Sequence, residues 1–234
     1  MSLAHSLICG CLMRESTEDA ARFLEYPGIG LVEWRLDALH GIHTRNGLDE
    51  ALAGLSLPGR HPVIATVRPE RFRGGFRGTE EARIRALERA VRAGAEWIDL
   101  EDDLPEDVLS PFRDSAARVV LSHHDFDETP ASDPLKHRVE HLATLGAHVL
   151  KIATYARTVE DNLRVLELIP FAREQFGAET IAFCMGPAGR WSRLACLLMG
   201  SPWTYVRFPE LPASAPGQFT VAQMQTLLEI VGAG

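Results

Sequence analysis

Apolar residues in this chain gather into eight short runs, and most stretches between them repeat at helical spacing. Leu7 to Leu12, Gly30 to Asp37, Pro62 to Val67, Trp97 to Glu101 and Arg118 to Ser122 read as the first five strands. Ala147 to Ala153, Thr180 to Cys184 and Trp203 to Phe208 read as the last three. Each is brief, carries branched or aromatic residues, and is bounded by turn-forming or charged positions. Between them, Ser16 to Tyr26 is predicted helical, with Ser16 or Thr17 as N-cap, Glu18 and Asp19 in the first turn and Pro27 as the stop. A weaker helical segment covers Leu48 to Leu55. Thr79 caps a helix in which Ile84, Leu87, Ala90 and Val91 share a face, with Gly94 past its end. Pro105 to Ala116 and Leu135 to Leu145 are helical, the second stopped by Gly146. Thr158 opens the helix Val159 to Phe171, and Gly200 closes Trp191 to Met199. Thr220-Val221-Ala222-Gln223 has the capping-box pattern and starts the last helix.

Eight strands alternating with helices in 234 residues predict an α/β fold, the (β/α)8 or TIM barrel, as one domain over 1–234. No G-x-G-x-x-G follows the first strand, which argues against a dinucleotide fold. No linker, repeat or low-complexity tract interrupts the pattern. A formal net charge of -8 argues against a nucleic-acid partner. No apolar run reaches the roughly 18 residues of a membrane span. The Met1 to Cys11 segment lacks signal-peptide features, so a cytoplasmic location is expected. Cys9, Cys11, Cys184 and Cys196 are too scattered for a disulfide framework and read as reduced core residues. The Cys9-x-Cys11 pair alone is a weak metal signal.

A barrel places functional groups at the C-terminal ends of its strands. Charged residues stand at those ends here. Period two puts Glu33, Arg35 and Asp37 on one face of the second strand, Thr66 and Arg68 on one face of the third, and Ser122 with His124 on the fifth. Lys151 ends the sixth. Of 24 lysine and arginine residues only Lys136 and Lys151 are lysine, and a lysine in an apolar strand is hard to keep there. Unlike arginine, it can lose its proton and act as a nucleophile. The structural alternative is a lysine whose stem lies on the core while its head reaches water. For the cluster as a whole, the alternative is a ring of salt bridges tying strand ends together.

The residue types suggest a chemistry. Neighbouring arginines and partial burial would leave Lys151 a neutral amine, able to form an imine with a ketone. His124, titrating near neutrality, would move the proton on the adjacent carbon and protonate a leaving group. His124 is preferred over His123 for its face and for Asp125 beside it. The arginines imply a substrate bearing a carboxylate or phosphate.

Glu33-Trp34-Arg35-Leu36-Asp37, Thr66-Val67-Arg68, Ser122-His123-His124-Asp125-Phe126, Lys151, Met185-Gly186 with Gly189, Ser192-Arg193 and Ser214-Ala215-Pro216-Gly217-Gln218 occur in one order over nearly the whole chain. In this set the chain resembles the type I 3-dehydroquinate dehydratases, Schiff-base lyases of the shikimate pathway and aromatic amino acid biosynthesis. The resemblance implies an imine between Lys151 and 3-dehydroquinate, His124 as general base and acid, and 3-dehydroshikimate as product. It implies that Arg193 grips the substrate carboxylate, with Glu33, Arg35, Arg68, Ser214 and Gln218 holding hydroxyls and carboxylate. It further implies no cofactor or metal, and a homodimer as in many members.

One stretch departs from the pattern. Where the family usually has a glutamate before Gly-Gly, supporting the histidine, this chain has Arg73-Gly74-Gly75 in a loop one residue longer. Glu70 or Glu101 would have to take over that support. The basic Arg71 to Arg77 loop reads as a lid over an anionic substrate or as a solvated surface loop. Cys11 stands where some members have serine. Two alternatives follow: a related Schiff-base lyase on another carboxylated ketone, and a catalytically impaired barrel binding a quinate-like ligand.

Overall fold

A computed structural model describes residues 7–17, 20–43, 50, 52, 61–105, 108, 112 and 115–232. The strands are β1 (Ile8–Leu12), β2 (Leu31–Arg35), β3 (Val63–Thr66), β4 (Trp97–Glu101), β5 (Arg118–His124), β6 (Val149–Tyr155), β7 (Glu179–Met185) and β8 (Thr204–Arg207). All ladders are parallel, and the order β8-β1-β2-β3-β4-β5-β6-β7 follows the chain, with β8 brought back onto β1. The sheet therefore curls into a nearly closed (β/α)8 barrel, as the alternating pattern predicts. At the seam the loops after β7 and β8 meet, where the Gly186 N–H donates to the Pro216 carbonyl at 3.3 Å.

Strands four places apart lie on opposite walls, so their direct contacts trace the barrel interior. Trp97 at the start of β4 and Trp203 just before β8 meet edge to face, with centroids 5.1 Å apart, and fill its N-terminal end. Towards the other end the interior becomes charged, as Glu33 of β2 and Lys151 of β6 face each other at 3.8 Å.

The outer layer comprises α1 (Ala21–Leu24), α2 (Glu80–Arg92), α3 (Ser132–Thr144), α4 (Asp161–Leu166), α5 (Leu168–Phe176), α6 (Ser192–Leu198) and α7 (Val221–Ile230). Thr79 caps α2 as expected, its hydroxyl accepting from the Ala82 N–H at 3.3 Å. The capping box of α7 is formed: the Gln223 N–H donates to Thr220 Oγ1 at 3.2 Å, and Gln223 Oε1 accepts from the Thr220 N–H at 3.0 Å.

Several expected boundaries shift, each for a local reason. The helix α1 starts only at Ala21, with no side-chain cap on Ala20; Glu18 and Asp19 lie outside the described residues. Most of the Leu48 to Leu55 and Pro105 to Ala116 segments also lies outside them, though residues 50, 52, 108 and 112 are helical. Thr158 does not open its helix. Asp161 does, its carboxylate accepting the backbone N–H groups of Arg157 and Thr158 at 2.8 and 2.9 Å. The helix then breaks at Glu167, because Pro170 cannot donate to the Leu166 carbonyl and its ring crowds that position. β2 ends at Arg35 in a 3-10 turn over Leu36–Ala38, so Asp37 lies beyond the strand rather than in it. β5 runs two residues further than expected, to His124. β6 is displaced two residues along the chain and continues to Tyr155, paired with Met185. Lys151 is thus third of seven strand residues, not the last.

Replacing Thr220 by Ala removes the hydroxyl that accepts the Gln223 N–H and leaves only the backbone half of the capping box, and urea unfolding is expected to show a loss of about 1 kcal/mol.

Candidate active site

A cavity of ≈ 260 Å³ opens at the C-terminal mouth, and all eight residues expected to form a site line it. Glu33 and Arg35 come from β2, Arg68 from just beyond β3, His124 from the end of β5 and Lys151 from β6. Arg193 is the second residue of α6, and Ser214 and Gln218 belong to the loop after β8.

Lys151 pairs across the ladders with Ser122 and Ile181, and its side chain enters the barrel, where it lines the cavity. Only 4% of the residue is exposed. Its Nζ lies 3.1 Å from Asp99 Oδ2 and 3.8 Å from Glu33 Oε1, and 4.3 Å from the centre of the Tyr205 ring. Carboxylates, not arginines, are therefore its nearest charged neighbours, which corrects the expectation that arginines surround it. The stem-on-core alternative fails too, since the head is buried in ion pairs rather than in water.

Asp99 was not singled out in the sequence, yet it organises this corner. It accepts from Ser122 Oγ at 2.7 Å and from Arg68 Nη2 at 2.8 Å, besides Lys151. Burial alone would raise its carboxyl; Arg68 and Lys151, with the Ser122 hydroxyl, outweigh that and hold it below the ordinary carboxylate range. Arg68 also reaches Glu101 at 2.6 Å, and Glu101 is bound from behind by Arg83 of α2 at 2.5 Å. For Glu101 burial prevails over both arginines and pushes the carboxyl up. Glu33 accepts from Thr66 Oγ1 at 3.0 Å and from the Cys11 thiol at 3.2 Å. Burial, then the nearby Glu33 charge, push that thiol up to about 12, so Cys11 serves as a neutral donor.

Arg35 is held by Asp37 through two bonds of 2.8 and 2.7 Å. The 3-10 turn after β2 swings Asp37 back onto it, and Asp37 also accepts the N–H groups of Arg68 and Gly75 at 3.1 and 2.9 Å. Burial raises the Asp37 carboxyl less than Arg35 and these N–H groups lower it, so it stays below its usual range. This contact explains the glycine pair. A Cβ on Gly74 would stand 2.0 Å from the Arg68 carbonyl oxygen, and one on Gly75 2.6 Å from that of Asp37.

The cavity also holds a cation, Arg193, with no carboxylate partner among the described residues. Arg193 is 1% exposed. It donates to the Pro216 carbonyl at 3.2 Å and lies over the Phe183 ring at 4.3 Å, while its Nε has no partner. Burial pushes its pKa down to about 10, still a cation at neutral pH. Gln218 bridges the loop beside it: its Oε1 accepts the Ser214 N–H at 2.8 Å, and its Nε2 donates to Ser214 Oγ at 2.9 Å and Cys11 Sγ at 3.3 Å.

His124 forms part of the wall, and its Nδ1 is buried with no hydrogen-bond partner among the described residues. Its ring stacks on Phe126, centroids 5.6 Å apart and 7° from parallel. Burial, followed by the charges of Arg68 and Lys151, drives its pKa well below the ordinary 6.5. Asp125 does not support it, because that carboxylate accepts the N–H groups of Asp127 and Glu128. Neither does Glu101, which is committed to Arg68 and Arg83, nor Glu70, which pairs with Arg77 at 3.1 Å. His123 points elsewhere and pairs with Asp102 at 2.8 Å. Tyr205, Phe126 and Phe183 complete the walls; Tyr205 and Phe183 carry no signal in the sequence, because an aromatic strand residue usually marks only core.

Fold and cavity together define a (β/α)8 barrel whose mouth carries a buried amine, an imidazole and a buried guanidinium. The model of the type I 3-dehydroquinase family matches residues 8–234, and the chain belongs to that family. It is 97% identical over 234 residues, the full length of both chains, to a 3-dehydroquinate dehydratase of Syntrophobacter fumaroxidans. A 3-dehydroquinate dehydratase of Dehalococcoides mccartyi is 36% identical over 216 residues, covering 92% of this chain and 91% of its own. The crystal structure of the Geobacillus kaustophilus 3-dehydroquinate dehydratase superposes with a TM-score of 0.86 at 28% identity, over 97% of this chain and 91% of that one. No helix among the described residues is long and apolar enough to cross a membrane.

The state of His124 has a thermodynamic consequence. With its folded pKa below that of the unfolded chain, acidification below about pH 6.5 puts a proton on the unfolded chain that the folded one refuses. His124→Phe removes this penalty. Its unfolding free energy relative to wild type is expected to rise as the pH falls from 7 to 5.5, by at most about 1.4 kcal/mol per pH unit.

Proposed function

We propose that the chain converts 3-dehydroquinate to 3-dehydroshikimate through an imine on Lys151, with His124 carrying the proton, and that residues 1–234 work as one domain. One observation carries the reading: a buried amine, an imidazole with a free ring nitrogen and a guanidinium without a carboxylate face the same small cavity. The family and its relatives support the overall reaction; the roles of individual residues rest on the geometry and on the resemblance.

In this reading the substrate carboxylate neutralises Arg193, the one cavity cation with no carboxylate partner among the described residues. Ser214 and Gln218 flank it. The ketone then lies towards Lys151, whose amine adds to the carbonyl carbon and, with loss of water, becomes an imine. Asp99 and Glu33, at 3.1 and 3.8 Å from Nζ, stabilise the cation of the protonated imine as they do the ammonium. His124 takes the proton from the carbon next to the imine, leaving an enamine. That electron pair expels the hydroxyl one carbon further on, which takes the proton from His124. Water then hydrolyses the imine and frees Lys151, so one water leaves the substrate overall. A histidine held neutral suits the first transfer, since only the unprotonated ring accepts a proton.

The reaction is followed by the ultraviolet absorbance of the conjugated product. Turnover is expected from the wild type, none from Lys151→Met, and a loss of about 10²–10⁴-fold from His124→Gln. The acidic limb of kcat/KM is expected below pH 6.5, because that ratio reports the free enzyme. Arg193→Met keeps an apolar stem among Phe183 and its neighbours while removing the unpaired charge. It is expected to raise KM without lowering the melting temperature. Wild-type protein that yields no conjugated product would overturn the reading.

A further inference from the structure

His124 is set among aromatic rings that each carry an arginine. Its ring lies parallel to Phe126, and the Arg73 guanidinium lies over the Phe126 ring at 4.9 Å. Phe72 stands 6.3 Å from the imidazole, tilted by 54°, with Arg71 over its ring at 5.4 Å. Carboxylates from neighbouring loops anchor both guanidinium groups. Asp127, the residue after Phe126, pairs with Arg73 at 2.7 Å, and Asp103 after β4 takes two bonds from Arg71 at 2.6 and 3.1 Å.

From this we infer that Arg73 is a positioning residue for His124, acting through Phe126. Two observations carry the inference independently. With no hydrogen bond on Nδ1, the plane of the imidazole is set by what packs on its faces, and the 7° stack fixes that plane. Arg73 is also the one non-glycine residue with positive φ among those described, at φ 56°, ψ 26°. A side chain kept in that region carries strain, and such strain persists where the surroundings use it. Here the left-handed turn lies between the 3-10 turn of Glu70–Phe72 and Gly74, and it delivers the guanidinium onto Phe126. Arg73 thereby closes the β3–α2 loop over the β5–α3 loop at the wall of the cavity.

The inference rests on the proton-carrying role given to His124, and the test separates the two. Arg73→Ala is expected to lower kcat about ten-fold with KM within two-fold, since a misplaced imidazole slows proton transfer but leaves substrate contacts alone. Phe126→Leu is expected to lose at least as much, and Phe126→Tyr, which keeps the ring, to restore most of it. The double variant Arg73→Ala/Phe126→Leu is expected to match Phe126→Leu alone, because Arg73 acts only through that ring. Arg73→Lys, keeping charge without the planar group, is expected to resemble Arg73→Ala. Losses that multiply in the double variant overturn the inference, as does a rise in KM at constant kcat, which would put Arg73 on the substrate instead. Full kcat in Arg73→Ala, with His124→Gln inactive, removes the inference alone. An active His124→Gln removes the reading beneath it.

Discussion

An amine buried in the middle of a barrel strand sets the terms for everything around it. Lys151 cannot stand between β5 and β7 without anionic partners, because an isolated ammonium in such surroundings is strongly unfavourable. Asp99 and Glu33 supply them from adjoining and opposite walls. Each added carboxylate then needs its own counter-charge, so the pairs propagate: Lys151 to Asp99, Asp99 to Arg68, Arg68 to Glu101, Glu101 to Arg83, and Arg83 to Glu80 at the surface of α2. Removing one member of such a chain strands its neighbours, which is why it behaves as a unit. The interior of this barrel is in that sense a charge lattice built upon an apolar floor.

Against so complete a network, the unsatisfied groups stand out. Among the described residues Arg193 has no carboxylate partner and His124 Nδ1 no hydrogen-bond partner; both residues line the cavity. A buried polar group left without a partner destabilises the empty protein, and a ligand that supplies the partner recovers that energy on binding. Lys151, paired with Asp99 and Glu33, lines the same cavity.

Much of this was legible in the sequence, because strand periodicity and strand ends carry strong local signals. The eight runs, the Thr79 cap and the Thr220–Gln223 box were readable from residue type alone. Glu33, Arg35, His124 and Lys151 were legible because strands bring such residues to the barrel mouth, where Arg68, Arg193, Ser214 and Gln218 join them from loops and a helix. What escaped depends on partners distant in the chain. The end of β6 was misplaced because its last residues pair with β7, and nothing local marks that ladder. Asp99 sits in Trp-Ile-Asp-Leu-Glu, where alternation with Glu101 was available as a signal, but only the neighbouring Arg68 and Lys151 give it meaning. Asp37 looked like a strand residue and proved to be the hinge of a turn. The support of His124 was sought among carboxylates, since these are what sequence patterns suggest; the structure surrounds it with Phe72 and Phe126 instead.

The central claim is that the Lys151 amine becomes covalently joined to its substrate. Borohydride reduction in the presence of 3-dehydroquinate, followed by peptide mass spectrometry, tests it most directly. The account predicts a stable secondary amine on Lys151 and on neither Lys136 nor the N-terminus. Conjugated product formed at the normal rate with no adduct on Lys151 would contradict it.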